Sequence, residues 1–279
     1  MIPKSKRKKI LSLAQYYVIA LILALIVGMP FFWMVITSLK SRGAIMRIPV
    51  EWIPREPSLD SYSKLFGIPH FGSSIVNSFY LAVICTVANL LCAAMAAFAL
   101  TKIPFKGQTL VFSLYLTAMM LPGQVTFIPL FIIMAKLGLT NSLNAFVLLQ
   151  FFNAFSIFML RQHMKTIDKS YLEAAVIDGA GLWYIFWRII LPLCSTALAT
   201  LGILTFMGSW NDYLLPLVLL SDRAKATLPV ILSSMSGQYG NQYNIMMAGA
   251  LLSIIPILIV YMAMQKHFEA GLTAGGIKG

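Results

Sequence analysis

Residues 74–100 read SIVNSFYLAVICTVANLLCAAMAAFAL and contain no charged side chain. About 20 consecutive apolar residues suffice for an α-helix to cross the ~30 Å hydrocarbon layer of a bilayer. Backbone N–H and C=O groups find no water in lipid, so a spanning segment must satisfy them as a helix or within a closed barrel. The run lacks the alternation of a barrel strand. It therefore predicts a transmembrane helix.

Similar runs recur along the 279-residue chain, in which 59% of residues are hydrophobic and 11% are charged. Soluble domains usually carry about 25% charged residues, so the composition excludes a soluble core. The sequence predicts an all-α integral membrane protein with about six transmembrane helices, at roughly 11–38, 74–100, 108–136, 141–161, 190–219 and 245–265. Kinks or breaks are expected at the prolines inside these spans, which are Pro30, Pro122, Pro129, Pro216 and Pro256.

The Lys and Arg residues predict the orientation of these helices. A basic cluster precedes the first span, and most of the 21 Lys and Arg residues share its side of the membrane if the N-terminus is cytoplasmic. Both termini are then expected in the cytoplasm, with 1–10 as a basic N-terminus and 11–279 as a single transmembrane domain. The connecting segments are an external loop at about 40–73, a cytoplasmic loop at about 162–189, an external loop at about 220–244 and a cytoplasmic tail at 266–279.

The same features argue against several function classes. The net charge of +12 does not indicate nucleic-acid binding, because the basic residues lie in loops between apolar spans. The three cysteines lie in apolar stretches without metal-ligand spacing, and the three histidines fall in separate segments. No nucleotide-binding glycine loop occurs. No catalytic, metal or cofactor site is therefore expected in this chain.

The cytoplasmic loop contains residues 168–192, DKSYLEAAVIDGAGLWYIFWRIILP. Ser170 followed by Glu173 has the spacing of a capping box, which predicts the start of a short helix. Gly179 and Gly181 predict the end of that helix and a turn. An amphipathic stretch then leads to the next span, so the loop is expected to be a helix–turn–helix element at the membrane surface.

This short helix is expected to present two small residues, Ala174 and Ala175, beside the carboxylate of Glu173. Small side chains let another protein approach closely, and a carboxylate offers a site for a partner's arginine. The sequence resembles the signature of ABC importer permeases, which is met here by Glu173-Ala174-Ala175, Gly179, Ile189, Leu191 and Pro192.

Two further stretches resemble one branch of that family. The form Asp178-Gly179-Ala180, closed by Pro192, is similar to the carbohydrate-uptake branch. The C-terminal residues 271–279, GLTAGGIKG, resemble the tail of the smaller permease subunit of maltose-type importers. The chain is thus identified as resembling a carbohydrate permease of the ABC importer family.

The resemblance implies that the loop is a coupling helix docked on a separate ATPase dimer, which would bind ATP and Mg²⁺. The residues that it assigns to ATPase coupling are Glu173, Ala174, Ala175, Asp178, Gly179 and Pro192. It also implies a second, longer permease subunit, an extracellular solute-binding protein and a multi-pass location in a bacterial or archaeal cell (inner) membrane. The alternative is that these residues merely cap and pack a surface loop.

Two other segments gain expected roles from the resemblance. The external loop at 220–244 would reach into the solute-binding protein through a flexible tip formed by Gly237, Gln238, Tyr239 and Gly240. The C-terminal tail, with Gly275 and Gly276, would extend toward the ATPase interface. The alternative is that the tail is a frayed terminus with no role in binding.

Polar side chains inside the predicted spans are candidates for the solute path. Asp212 is the only carboxylate predicted within a span, and charges at membrane depth usually face a cavity or a partner. It could equally lie at the outer interface and satisfy a helix end. Asn211, Asn153, Gln150 and Gln124 offer amides that could bind a solute or bridge helices.

Two other function classes are compatible with a membrane protein of this kind. In an ion-gradient-driven secondary transporter, Asp212 would be the one titratable carboxylate available within the membrane. A membrane enzyme would need clustered acids, bases or metal ligands, and the sequence shows none.

Overall fold

The computed structural model describes the backbone of residues 4–238 and 242–276, and the side chains of residues 13–235 and 242–265. This part of the chain contains helices, turns and irregular connections, and no strand. The α-helices are α1 (Lys4–Ser38), α2 (Asp60–Phe66), α3 (Phe71–Lys102), α4 (Gln108–Met119), α5 (Gly123–Lys136), α6 (Asn144–Gln150), α7 (Ala154–Thr166), α8 (Ser170–Ile177), α9 (Leu182–Tyr184), α10 (Leu191–Leu193), α11 (Ser195–Asn211), α12 (Leu214–Leu219), α13 (Leu228–Gln238) and α14 (Tyr243–Gly276). A π-helical turn, Ile185–Ile190, links α9 to α10.

The transmembrane helices follow the hydropathy of the sequence. Within the described residues, four segments are long and apolar enough to cross a membrane: Leu13–Ser38, Phe71–Lys102, Asn144–Thr166 and Tyr243–Gln265. Two bent pairs pass the same test, namely α4 with α5 and the Leu182–Leu193 segment with α11. If each bent pair is one span, the total is six, so the predicted all-α membrane fold is confirmed.

The predicted proline effects differ from site to site. Pro122 is the residue before α5, where α4 and α5 meet at an angle of 107°. Pro30, Pro129 and Pro256 lie inside α1, α5 and α14 without ending those helices. Neighbouring polar groups and local adjustment re-satisfy the backbone around a proline in a membrane helix. Of these four prolines, Pro122 alone coincides with a sharp break.

The predicted fifth span, 190–219, is not one continuous helix. A bend of 76° at Cys194 separates the preceding helical segment from α11. At its other end α11 stops at Asn211, because Asp212 adopts an extended backbone conformation (φ −66°, ψ 121°). The Asp212 carboxylate then accepts the backbone N–H of Leu215 at 3.4 Å, at the start of α12.

The chain forms two compact units. The larger one, residues 70–231 with 255–279, is built around α3, α7 and α11, which pack against one another. Lipid is as apolar as a leucine side chain, so helices associate in a membrane through close van der Waals packing, which small residues permit. The buried alanines of α3, which are Ala93, Ala94 and Ala97, meet large side chains of α7 and α11, including Ile157, Leu160, Met164 and Leu201.

The smaller unit comprises residues 1–69 and 232–254. Lys40 stabilises the loop that follows α1. Its ammonium donates to the backbone carbonyl of Glu51 and also lies 4.7 Å from the centre of the Trp33 ring. Trp33 also meets Trp52 edge to face. The loop is thus anchored by a buried lysine whose polar head is satisfied.

Candidate functional site

An aspartate that precedes helix α8 accepts a hydrogen bond from its first residue, in place of the predicted capping box. The backbone N–H of Ser170 donates to the Asp168 carboxylate at 2.9 Å. This bond lowers the pKa of the Asp168 carboxyl. Ser170 is already the first helical residue, and Lys169 rather than Ser170 occupies the cap position. The start of α8 was therefore predicted correctly, but its cap was assigned to the wrong residue.

The outer face of α8, defined by Glu173, Ala174, Val176 and Ile177, is exposed. Val176 is 60% and Ile177 is 85% exposed, so this face presents two adjacent aliphatic side chains. Ala175 differs from the prediction, because it is 7% exposed and packs into the core cluster of the larger unit. The exposed face thus combines one carboxylate, one small residue and two aliphatic residues that were not predicted from the sequence.

Gly179 ends α8 in a conformation that favours glycine. Its φ is +78°, in the left-handed region. The Gly179 N–H donates to the Val176 carbonyl at 3.0 Å, and the Ala180 N–H donates to the Ala175 carbonyl at 2.9 Å. These paired bonds are the usual way in which a glycine closes a helix. Gly181 has φ −73° and simply precedes α9, so the turn needs one glycine rather than the two that were predicted.

A surface groove of about 560 Å³ lies beside the end of α8. Its lining includes Asp178 and Gly179 from the end of α8, with Tyr184 and Arg188 from the segment that follows. Both charge signs are therefore present in one depression next to the outer face of α8. A groove of this kind can receive a polar side chain from another protein.

The loop that carries α8 is fastened to the helical bundle at its start. The Lys102 ammonium donates to the Ile167 carbonyl at 2.9 Å, and the Arg161 guanidinium donates to the Leu100 carbonyl at 3.1 Å. The Arg161 guanidinium also lies 3.6 Å from the centre of the Phe112 ring. These bonds connect the end of α3 directly to the residues that precede α8.

The end of the loop is fastened by packing. Ile185, Phe186 and Ile190 of the π-helical turn are buried in the same core cluster as Ala175. Pro192 is exposed and stands two residues before the bend at Cys194. Its place is thus at the bend and not on α8.

A second depression of about 410 Å³, the polar groove, is lined by three of the five predicted solute-path residues. Gln150 and Asn153 border it at the junction of α6 and α7, and Asp212 borders it at the end of α11. Asn211 and Gln124 do not line this polar groove. The Asn211 amide donates back to the Met207 carbonyl at 2.9 Å, and Gln124 is exposed in the first turn of α5.

The polar groove also contains residues that sequence reasoning did not single out. Thr205 and Ser209 line it from α11, together with Phe155 from α7. Thr205 and Ser209 are four residues apart on one face of α11, and Asp212 follows three residues later, directly after the helix ends. That spacing is visible in the sequence and could have predicted the face.

A buried amide orients one wall of the polar groove. Asn89, in α3, is fully buried, and its side-chain N–H donates to the Gln150 side-chain oxygen at 3.1 Å. The Asn153 side-chain oxygen accepts the Ser156 N–H at 3.1 Å and the Ser156 hydroxyl at 3.0 Å. Since both amide oxygens are used within the chain, the amide N–H groups of Gln150 and Asn153 are the donors that remain for the groove.

The other predicted sites fall at the edges of the described structure. Residues 220–244 are not simply a loop, because α13 covers Leu228–Gln238 and includes Gly237 and Gln238 in its last turn. Tyr239 and Gly240 lie outside the described residues. Gly275 and Gly276 are the last two residues of α14. Among the described side chains, no cluster of His, Cys, Asp and Glu could hold a metal ion.

Comparison with known proteins matches residues 89–274 to a family described as the binding-protein-dependent transport system inner membrane component. The arabinooligosaccharides transport system permease protein of Bacillus subtilis is 34% identical over 93% of this chain and 93% of its own length. The lactose transport system permease protein of Rhizobium radiobacter is 30% identical over 98% of both chains.

Among solved structures, a chain of a bacterial ABC transporter involved in the import of the acidic polysaccharide alginate superposes with a TM-score of 0.81. It is 27% identical, and the match covers 96% of this chain and 99% of that one. These similarities favour an ABC permease over an ion-driven transporter and over an enzyme. The chain therefore belongs to the inner-membrane permease family of binding-protein-dependent ABC transport systems, as a transport subunit rather than an enzyme.

Proposed function

We propose that this chain is the permease subunit of an ATP-driven importer that takes up a carbohydrate delivered by an extracellular binding protein. The named relatives support a sugar or oligosaccharide, because they serve arabinooligosaccharides, lactose and, in Thermoanaerobacterium thermosulfurigenes, starch degradation products. The chain would act with a second permease subunit and two copies of an ATPase that carries the ATP and Mg²⁺.

The outer face of α8 is the observation that carries the coupling part of this proposal. Its exposed aliphatic side chains and the Glu173 carboxylate need a partner surface, and the adjacent groove accepts a side chain from that surface. A cytoplasmic ATPase is the partner that the family provides. The loop that bears α8 would then lie on the cytoplasmic side, together with both termini.

The packing of α8 supports a mechanical connection from the ATPase to the membrane helices. Ala175 and the π-helical turn belong to the same core cluster as α3, α7 and α11. Packed cores move between discrete arrangements and do not deform continuously. When the ATPases close on ATP, displacement of α8 would therefore shift these helices together and change the side to which the solute path opens.

The polar groove supports the transport part of the proposal. Helix α7 leads from the groove to the start of the α8 loop, and its 13 residues span about 20 Å. Helix α11 leads back from the end of the loop to the groove. The same two helices would thus connect the ATPase-facing loop to the solute path.

Two peripheral contacts complete the proposed assembly. The region that includes Gly237, Gln238, Tyr239 and Gly240 would touch the binding protein on the external side. The chain end with Gly275 and Gly276 would approach the ATPases.

Uptake by the complete importer in proteoliposomes tests this function. The complex should accumulate arabinotriose, lactose or maltotriose in the presence of its binding protein and ATP, and the Glu173→Ala variant should lose at least tenfold in uptake together with ATPase retention. Asp60→Ala, which removes an exposed carboxylate from α2, is the matched control and should behave as the wild type. Uptake that persists without ATP, or a Glu173→Ala variant with full coupling, would overturn the proposal.

A further inference from the structure

Two interruptions of membrane helices meet at the polar groove. Residues 151–153 separate α6 from α7, and residues 212–213 separate α11 from α12. Gln150 and Asn153 flank the first interruption, and Asp212 belongs to the second. Irregular backbone at membrane depth is tolerated where it is buried in protein or lines a cavity. In transporters, discontinuous helices frequently form the solute site.

The walls of the groove offer complementary hydrogen-bonding groups. The amide N–H groups of Gln150 and Asn153 are donors on one side, because the side-chain oxygens of both residues accept bonds within the chain. The Asp212 carboxylate is an acceptor on the other side, and the hydroxyls of Thr205 and Ser209 can act in either role. A sugar hydroxyl both donates and accepts, so it can bond to both walls at once.

The rest of the lining suits the apolar face of a sugar ring. Phe155 borders the groove with about half of its surface exposed, and Leu201 and Leu204 extend this apolar wall. The volume of about 410 Å³ lies in the range of roughly 300–1,000 Å³ that is common for small-molecule sites. At Gly208 a Cβ atom would meet no described atom within 4 Å, so the missing side chain leaves the groove wide at that point.

Charge gives the groove a preference among carbohydrates. Asp212 is the only ionisable residue among those that line it, and no Lys, Arg or His of the described chain belongs to the lining. A carboxylate-bearing sugar would meet an unpaired negative charge at short range in a partly desolvated site, where repulsion is stronger than in water. An uncharged sugar meets an acceptor for its hydroxyls instead.

We propose that the polar groove is a hydroxyl-binding subsite for uncharged sugars, and that Asp212 makes the permease itself reject sugars that carry carboxylates. The assignment rests on the proposed function, since it places the site on the path of an imported carbohydrate. It adds that selection against charge takes place in this subunit and not solely in the binding protein.

Reactivity of an engineered thiol measures the charge preference without transport. Ser209→Cys is introduced after replacement of the buried Cys85 and Cys194 and the half-buried Cys92 by alanine. In the assembled complex, a methanethiosulfonate that carries a cationic trimethylammonium group should label this cysteine faster than a methanethiosulfonate that carries an anionic sulfonate group. The rate ratio, normalised to that of Ser73→Cys at the exposed start of α3, should be about tenfold.

Adding Asp212→Asn should return that normalised ratio to about one. Lactose or maltotriose should slow the labelling, and trigalacturonate should not. A ratio that does not respond to Asp212→Asn, or a thiol that neither reagent reaches, would overturn the proposal. Labelling does not depend on ATP, so the two proposals can fail separately. Loss of the charge preference with continued neutral-sugar uptake would contradict the assignment of the groove alone. Loss of uptake with the charge preference intact would contradict the proposed function alone.

Filling the groove tests its use as a path. Gly208→Leu places a side chain in open space without backbone strain and should reduce neutral-sugar uptake at least tenfold, with the complex still assembled. Gly72→Leu, at an exposed glycine of α3 that also faces open space, is the matched control and should transport normally. Normal uptake by Gly208→Leu would show that solute does not pass through the groove.

Discussion

At α8 the exposed residues stand on a short helix whose ends are closed by local bonds and whose inner side is packed. At the polar groove, Gln150, Asn153 and Asp212 lie where helices stop. Asn153 and Asp212 are bonded to residues three positions away, whereas Gln150 is held by Asn89, 61 positions away in the sequence. The first region shows how an exposed helix face is held in place, with Ala175 buried beneath it. The second shows how polar groups are retained in an apolar bundle, through Asn89 behind Gln150.

The largest effect is expected from disturbing the packed side of α8. Ala175→Asp places an unpaired carboxylate in an apolar cluster and should cost about 3 kcal/mol or more in stability. The measurement is thermal unfolding of the assembled complex in detergent, together with ATPase retention. Ala174→Asp, on the exposed outer face of α8, should leave unfolding unchanged and weaken ATPase retention alone. Equal unfolding temperatures for the two variants would contradict the burial of Ala175.

A smaller effect is expected from the glycine that closes α8. Gly179→Ala forces a side chain into the left-handed region and should cost about 1–2 kcal/mol in stability. Gly181→Ala, at a φ of −73°, should be close to neutral. Unfolding and ATP-dependent uptake of the two variants should be compared side by side. If both tolerate alanine equally, the cap at Gly179 does not hold α8 in place.

Asn89 should affect solute binding with little effect on the fold. Its side-chain oxygen is buried and has no hydrogen-bond partner among the described residues, so Asn89→Leu removes an unsatisfied group as well as the bond to Gln150. We expect the half-saturation concentration for a neutral sugar to rise several-fold, with maximal uptake, ATPase retention and unfolding temperature nearly unchanged. A lower maximal rate at unchanged half-saturation would point to a structural role instead.

The smallest effect is expected from the cap at Asp168. The bond from the Ser170 N–H lowers the pKa of this carboxyl in the native state, so its contribution is complete above the unfolded pKa of about 4. The contribution is lost as the pH falls through the lowered native value. Hydrogen-exchange protection at the start of α8, corrected for intrinsic rates, should stay constant from about pH 7 to 5 and decline below about pH 4.

Asp168→Asn is the control for this titration. It keeps an oxygen that can accept the Ser170 N–H and removes the ionisable group. Protection in this variant should not depend on pH over the same range. A decline in both proteins would assign the change to another group.

The membrane helices were largely predictable, because apolar runs bounded by charges leave few alternatives in lipid. The break at residues 151–153 was not, since the sequence there is Phe151-Phe152-Asn153 and contains neither proline nor glycine. The predicted break at Pro122 was found, and Pro30 and Pro256 lie within unbroken helices. Whether a helix continues past a proline depends on neighbouring segments that satisfy its backbone, which local sequence does not specify.

The candidate sites were predictable to different degrees for similar reasons. The helix at residues 170–177 and its terminal glycine follow from local signals. The burial of Ala175 does not, because it depends on where the π-helical turn packs. In the groove, the spacing of Thr205, Ser209 and Asp212 was available in the sequence, whereas the bond between Asn89 and Gln150 joins residues 61 positions apart.

Helix α1 has a consequence for how the protein is made. From Leu13 to Val35 every side chain is exposed or only partly buried within the chain. A helix in lipid satisfies its backbone hydrogen bonds by itself and does not need neighbours for that purpose. This helix can therefore enter the bilayer as soon as it leaves the ribosome, and hold the growing polypeptide at the membrane while the later helices are still being synthesised.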